Sequence, residues 1–343
     1  MSDITSLIDK LNISHALSFN EWVRVIRDAD DNDRAYAAEL ARGIALDRFG
    51  NGILLRGLVE FSNVCRNDCL YCGIRRSNKC LSRYTLTDEE IVASYDAAYD
   101  AGIMTCVLQS GEGAVTAERL AGIVRDIKRR HPDCAVTLSV GELSSEEYRL
   151  LRDAGADRYL LRHETADAEH YARLHPAGMC LGSRIDCLHE LRRLGFWIGA
   201  GMMVGSPYQT TEHLARDMMF LCELSPEMVG IGPFIPHRDT PFADMPCGSF
   251  DMTLHLLSLI RIMLPGVLLP ATTALGTMRP YGREQGILSG ANVIMPDVSP
   301  HRVRERYALY DGKLSTRGDP SAAVRELTER LDRIGYVPAL GRC

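Results

Sequence analysis

Cys65, Cys69 and Cys72 place three thiols within eight residues, in the segment Phe61-Ser-Asn-Val-Cys-Arg-Asn-Asp-Cys-Leu-Tyr-Cys-Gly73. A thiolate is a soft ligand for iron or zinc, but structural zinc sites normally close with four protein ligands and an ordinary [4Fe–4S] cluster uses four cysteines. The segment holds no fourth Cys or His. The triad therefore predicts a cluster with one iron open to an exogenous ligand. A zinc knuckle completed by a distant residue, or chance clustering, are the bland readings.

The other eight cysteines are scattered, and the total of eleven is odd. Several lie in apolar runs such as Met104-Thr-Cys-Val-Leu108, where a thiol behaves as a small hydrophobe, so no disulfide framework is expected. The first twenty residues lack the apolar block of a signal peptide. The longest apolar stretch, 254–269, is broken by His255, Arg261 and Pro265. A cytoplasmic protein without a membrane segment is expected, and a monomer. Net charge −6 gives no broad footprint for nucleic acid, and Lys128-Arg129-Arg130 and the basic residues of 302–306 read as solvated helix faces. With 46% hydrophobic residues the chain can bury a large core.

The elements that must position the thiols follow from periodicity. Strand-like runs at 57–61, 104–108, 134–139, 158–162, 197–203, 228–232, 267–271 and 291–295 alternate with helical patterns, which predicts parallel βα units. Eight units fit a (β/α)8 TIM barrel, of α/β class. Thr87 with Glu90 and Ser144 with Glu147 match capping boxes, and Asp319-Pro320 reads as an N-cap followed by proline at the first helical position. Helical patterns at 3–11, 19–28 and 31–48 predict an N-terminal helical cap over 1–50, covering the barrel bottom. The barrel spans 51–310, and 311–343 forms a C-terminal extension with a helix over 319–336.

Active sites of such barrels lie beyond the C-terminal ends of the strands. The cysteines follow the first strand, Gln109-Ser-Gly-Glu112 the second, Ser139-Val-Gly-Glu142 ends the third, Arg162-His-Glu164 the fourth, Gly201-Met-Met203 the fifth, Gly232-Pro-Phe234 the sixth and Thr272-Thr273 the seventh. A doubly wound sheet is the weaker alternative: its ligands gather at one switch point, and no glycine-rich phosphate loop follows the first strand. Gln109, Thr137, Arg162, Thr272, Thr273 and Tyr307 are candidates for binding substrate or anions inside the barrel, because clustered buried polar groups need partners. His163 alternates away from its neighbours and reads as structural.

Cys-x3-Cys-x2-Cys, with Tyr71 between the last two cysteines, resembles the radical S-adenosylmethionine (SAM) enzymes. Val107-Leu-Gln-Ser-Gly-Glu112, Arg158-Tyr-Leu-Leu-Arg-His-Glu-Thr165, Met228-Val-Gly-Ile-Gly-Pro-Phe-Ile-Pro236 and Leu269-Pro-Ala-Thr-Thr-Ala274 extend the likeness over roughly 55–310. Within that superfamily they resemble HydE, the family of [FeFe]-hydrogenase maturases. The resemblance implies a [4Fe–4S] cluster on Cys65, Cys69 and Cys72, and SAM cleaved to a 5′-deoxyadenosyl radical during assembly of the diiron subcluster. It implies that Tyr71 packs beside adenine or cluster, and that the backbone of Ser110-Gly111-Glu112 meets the SAM amino group. Glu164 would bind the ribose and Arg184 the SAM carboxylate, with Ser139 a third ligand. Met203 and Met228 would line the pocket, although methionine is more often core filler.

The implied partners are a small iron–carbonyl–cyanide or cysteine-derived substrate, the other hydrogenase maturases, and a reductant such as flavodoxin or ferredoxin. One departure stands out: many family members carry a second, C-terminal cysteine motif, whereas only Cys343 lies beyond residue 247 here, so a second cluster is not expected. Two rival functions remain. One is another radical-SAM reaction, such as a methylornithine-synthase-like rearrangement or biotin-synthase-like sulfur insertion. The other is a non-catalytic iron–sulfur scaffold.

Overall fold

A computed structural model describes residues 3–316 and 318–341. Its strands are β1 (Gly52–Leu55), β2 (Gly57–Ser62), β3 (Thr105–Ser110), β4 (Ala135–Ser139), β5 (Arg158–Leu160), β6 (Trp197–Ala200), β7 (Met203–Val204), β8 (Met228–Val229), β9 (Gly232–Pro233), β10 (Val293–Ile294) and β11 (Val337–Ala339). A six-stranded parallel sheet runs β2-β3-β4-β5-β6-β8. Parallel bridges Met228–Leu268 and Pro270–Val293 carry the circuit onward, and pairing of β10 with β1 plus the bridge Leu58–Asp297 return it to the first stave. The result is a TIM-type α/β barrel in which two staves are reduced to short pairings.

Prolines and glycines explain where the eight runs fragment. The expected strand at 267–271 survives as bridges only: Pro270 has no N–H to give, and the Leu269 N–H goes to the Asn292 side chain at 2.8 Å. Pro296 ends β10, yet its carbonyl accepts from Leu58 N–H at 3.0 Å and so helps close the ring. The runs 197–203 and 228–232 each split in two, because Gly201 (φ +152°) and Gly230 approach so closely that a Cβ on Gly201 would stand 2.0 Å from the Gly230 carbonyl. Met203–Val204 then pair with Gly232–Pro233 as a separate two-stranded ladder.

The helix starts are as the side chains dictate. Thr87 and Ser144 each cap through a reciprocal bond with the glutamate three residues on, and Asp319 accepts from Ala322 N–H at 2.7 Å with Pro320 behind it. Helix Phe250–Met263 is buried almost all round, as an apolar helix must be. It lies between the barrel and helix Asp31–Phe49, so the N-terminal helices sheath it and the neighbouring helix Thr211–Leu224. The C-terminal segment is not only helical: after helix Pro320–Asp332 it adds β11 parallel to β1, a pairing the sequence reading did not foresee. Among the described residues, no helix is long and apolar enough to cross a membrane.

Candidate active site

The cysteine loop leaves β2 and is held by side chains that satisfy its backbone. Arg83 donates to the carbonyls of Asn63, Ile74, Arg75 and Asn78 at 2.5–3.1 Å. Asn63 donates to the carbonyls of Ser82 and Arg306 at 2.9 and 2.8 Å, and Gly73 N–H reaches the Leu309 carbonyl at 2.8 Å. Gly111, at the end of β3, is required by approach: a Cβ there would lie 2.2 Å from the Val64 carbonyl and 2.6 Å from Cys65 Cβ. Strand end and cysteine loop are thereby locked together.

The three thiols sit half-buried on this loop. Burial pushes the Cys69 thiol up to about 12, reinforced by the neighbouring charge of Cys65, and raises Cys65 and Cys72 as well. As free thiols they hold their protons, which bound metal would displace. Among the described residues, no three His, Cys, Asp or Glu side chains converge on a single metal ion. Three cysteines on one loop fit a cubane in which each binds a separate iron.

Around the loop runs a chain of charge. Arg66 Nε donates to Glu112 Oε1 and Glu142 N–H to Glu112 Oε2, both at 2.9 Å, while Glu142 Oε1 lies 2.8 Å from Arg184 Nε. Arg184 is buried, which works against its charge, and Tyr171 and Glu142 hold it above the ordinary guanidinium range nonetheless. Glu164 follows β5 with φ +67°, uncommon for a residue with a side chain; Glu164 N–H donates to the Gly201 carbonyl at 3.0 Å and its carboxylate accepts from Arg162 Nη2 at 2.9 Å. Glu164 and Arg184 both lie close enough to influence the charge of Cys69 and Tyr71, so the structure brings these residues near the cysteine loop.

The remaining candidates divide. Tyr71 packs with Met203, Phe234 and Phe242, and its hydroxyl lies 3.3 Å from His175 Nε2. Ser110 is buried and its hydroxyl donates to the Gly111 carbonyl; Ser139 pairs in register with Gln109. Thr137 Oγ1, Thr272 Oγ1 and Arg162 Nε are buried with no protein partner, and an unpaired buried polar atom costs about 1–3 kcal/mol, so they fit a polar ligand or water. Thr273 Oγ1 accepts from Arg283 at 3.1 Å, and Tyr307 is buried beside Gln109. Met228 packs with Leu268 and Val293, with Phe49 and Leu54 against them. His163 is fully buried, with Nε2 3.3 Å from Asp217 Oδ1.

The sequence reading missed Arg66 and His175, the pairing of Glu142 with Arg184, and a buried pair in which Lys313 Nζ meets both oxygens of Glu60 at 2.7 and 2.6 Å. Only the inward register of Glu60 on an otherwise apolar strand could have flagged that pair. Cys343 lies outside the described residues.

The radical SAM superfamily profile matches residues 59–221. The chain is 45% identical over 332 residues to the [FeFe] hydrogenase maturase subunit HydE of Thermotoga maritima, covering 95% of this chain and 94% of that one. It is 27% identical to 3-methylornithine synthase of Methanosarcina barkeri, over 99% and 95% of the two chains. The crystal structure of methylornithine synthase superimposes with a TM-score of 0.85 at 26% identity, over 97% of each chain. With the thiol loop and barrel in place, the chain belongs to the HydE family of radical SAM enzymes, which work with a [4Fe–4S] cluster and SAM.

Proposed function

We propose that this chain carries out the HydE step of [FeFe]-hydrogenase maturation, acting on a small iron–carbonyl–cyanide or cysteine-derived compound. The observation that carries the reading is likeness to a HydE at 45% identity across 95% of the chain. Cys65, Cys69 and Cys72 would hold the cluster, leaving one iron for SAM. Bound together, cluster and SAM supply one-electron cleavage of the sulfonium C–S bond, giving methionine and a 5′-deoxyadenosyl radical. Glu164, presented by its left-handed backbone, would accept from the ribose hydroxyls. Arg184, anchored by Glu142, would pair with the SAM carboxylate. The backbone of Ser110-Gly111-Glu112 would meet the amino group, while Ser139 and Met203 complete that wall and Tyr71 packs against it. Thr137, Arg162 and Thr272, each with an unpaired buried atom, would orient substrate deeper in the barrel, alongside Gln109, Thr273 and Tyr307. The apolar packing of Tyr71 with Met203, Phe234 and Phe242 would help to exclude water from the radical.

Other maturases and a one-electron reductant are the implied partners, with the chain acting as a cytoplasmic monomer. The test is restoration of hydrogen evolution in cells that have an [FeFe]-hydrogenase and its other maturases but lack HydE. Wild-type protein should complement and Cys72→Ser should not. A cluster-loaded wild type that forms 5′-deoxyadenosine but fails to complement would move the reading to another radical-SAM substrate, with amino-acid rearrangement favoured by the methylornithine synthase fold. Cluster binding without 5′-deoxyadenosine would leave the scaffold.

A further inference from the structure

Residues 61–84, the segment built around the three cysteines, carry Arg66, Arg75, Arg76, Lys79 and Arg83 against Asp68 alone, a local charge of +4 in a chain of net −6. Ion pairing neutralises only part of it: Arg66 is spent on Glu112 and Arg75 on Asp68. Arg83 and Arg306 donate to backbone carbonyls, which satisfies their N–H groups without cancelling their charge. Arg76 and Lys79 are exposed, and among the described residues neither has a carboxylate partner. Both belong to the turn just after Cys72, where Arg75 N–H returns to the Cys72 carbonyl at 3.1 Å and Arg76 N–H to the Asn67 carbonyl at 2.8 Å.

Partly buried Arg83 is placed to compensate thiolate charge, and it eases the Cys65 thiol downward against burial. Arg76 and Lys79 are different. Exposed charges in water contribute little to an interior potential, so their effect is directed outward, at whatever approaches the cysteine loop. A patch of one sign beside a buried redox centre steers an oppositely charged partner into contact and fixes its orientation.

We propose that the exposed face of the cysteine loop, centred on Arg76 and Lys79, is the docking surface for an acidic, low-potential one-electron carrier protein. The inference rests on the radical-SAM reading above, which needs one electron per turnover. In the docked complex the reduced carrier gives up one electron and is oxidised, and the cluster held by Cys65, Cys69 and Cys72 is reduced by that electron. No bond or proton changes hands in this step. Cys65, Cys69 and Cys72 lie on the same loop as Arg76 and Lys79 and are only partly buried, so a cluster held by them would stand close to the docked carrier.

The test compares wild type with the double variant Arg76→Glu/Lys79→Glu, using a reduced plant-type ferredoxin as the carrier and dithionite as a small reductant. Ferredoxin affinity, measured on cofactor-free and on reconstituted protein, should weaken on the order of tenfold or more in the variant and lose much of its dependence on ionic strength. Cluster reduction by ferredoxin should slow in parallel. Reduction by dithionite, and the 5′-deoxyadenosine it yields, should be unchanged. Equal ferredoxin affinity and equal ferredoxin-driven reduction in both proteins would overturn the proposal, as would tighter binding of a single-stranded RNA than of ferredoxin at the same face. Wild type that forms no 5′-deoxyadenosine with dithionite would instead defeat the radical-SAM reading, while the affinity comparison would still decide the surface.

Discussion

Single atoms decide whether the cysteine loop can form. A methyl group on Gly111 would overlap the Val64 carbonyl at 2.2 Å, and that neighbour is backbone with nowhere to yield. Gly111→Ala should therefore displace Cys65 and lower iron loading on reconstitution, measured as iron per chain. Gly122→Ala, in open space within helix Ala117–Arg130, should instead raise stability by about 0.5–1 kcal/mol in urea denaturation. Equal iron loading in Gly111→Ala and wild type would refute the steric argument. Cofactor roles separate in the same way. Cys69→Ala should abolish cluster and SAM cleavage together, whereas Glu164→Ala or Arg184→Ala should keep the cluster spectrum and weaken SAM. A lost charged hydrogen bond costs roughly 2–5 kcal/mol, or about 30- to several-thousand-fold in affinity. Unchanged SAM binding in both would end the assignment. The thiols were legible because their spacing is local. The pairing of Glu142 with Arg184 was not, since it needs a strand end and a helix to be folded first.

Elements were legible where their signals are local as well. Capping boxes at Thr87 and Ser144 name their helices from four residues each. The seventh stave defied its apolar pattern because Pro270 interrupts the ladder, and β11 escaped notice because three residues carry too little periodicity to announce a strand. The segment after Tyr307 shows what such long-range pairing does. It crosses from the cysteine loop, where Leu309 receives Gly73 N–H, to β2, where Lys313 grips Glu60. Glu60 is 1% exposed and burial pushes its carboxyl up to about 8 against the pull of Lys313, so without the lysine its oxygens have neither a cation nor water to turn to. Lys313→Ala should destabilise the protein by about 3–5 kcal/mol, while the paired replacement Glu60→Gln/Lys313→Met should recover most of that loss. Chemical denaturation of the three proteins checks this. A single variant no less stable than the double one would show that the pair does not anchor the segment.

At the scale of the whole molecule, the N-terminal helices are tied to the barrel by groups that respond to pH. His255, on the buried helix Phe250–Met263, holds the Val25 carbonyl through Nε2 at 3.0 Å, and burial pushes its pKa down from 6.5 to about 4. The folded protein thus resists a proton that the unfolded chain accepts. The stabilisation is complete above about pH 6.5, and it is lost progressively as pH falls from there toward 4. Its ceiling is on the order of 3 kcal/mol, from the conversion of about 1.36 kcal/mol per pKa unit. His175, packed on Tyr171 and lowered to about 4 by burial, titrates across the same window on the cofactor side. His255→Gln keeps an amide donor for Val25 but cannot take up the proton. Urea denaturation of the cofactor-free protein from pH 7 down to 4 should therefore show a steep decline in wild type and a shallower one in His255→Gln. The rest of the slope should remain for groups such as His175 and His170, both lowered by burial. An identical decline in the two proteins would mean that the seam between N-terminal helices and barrel does not sense protons through His255.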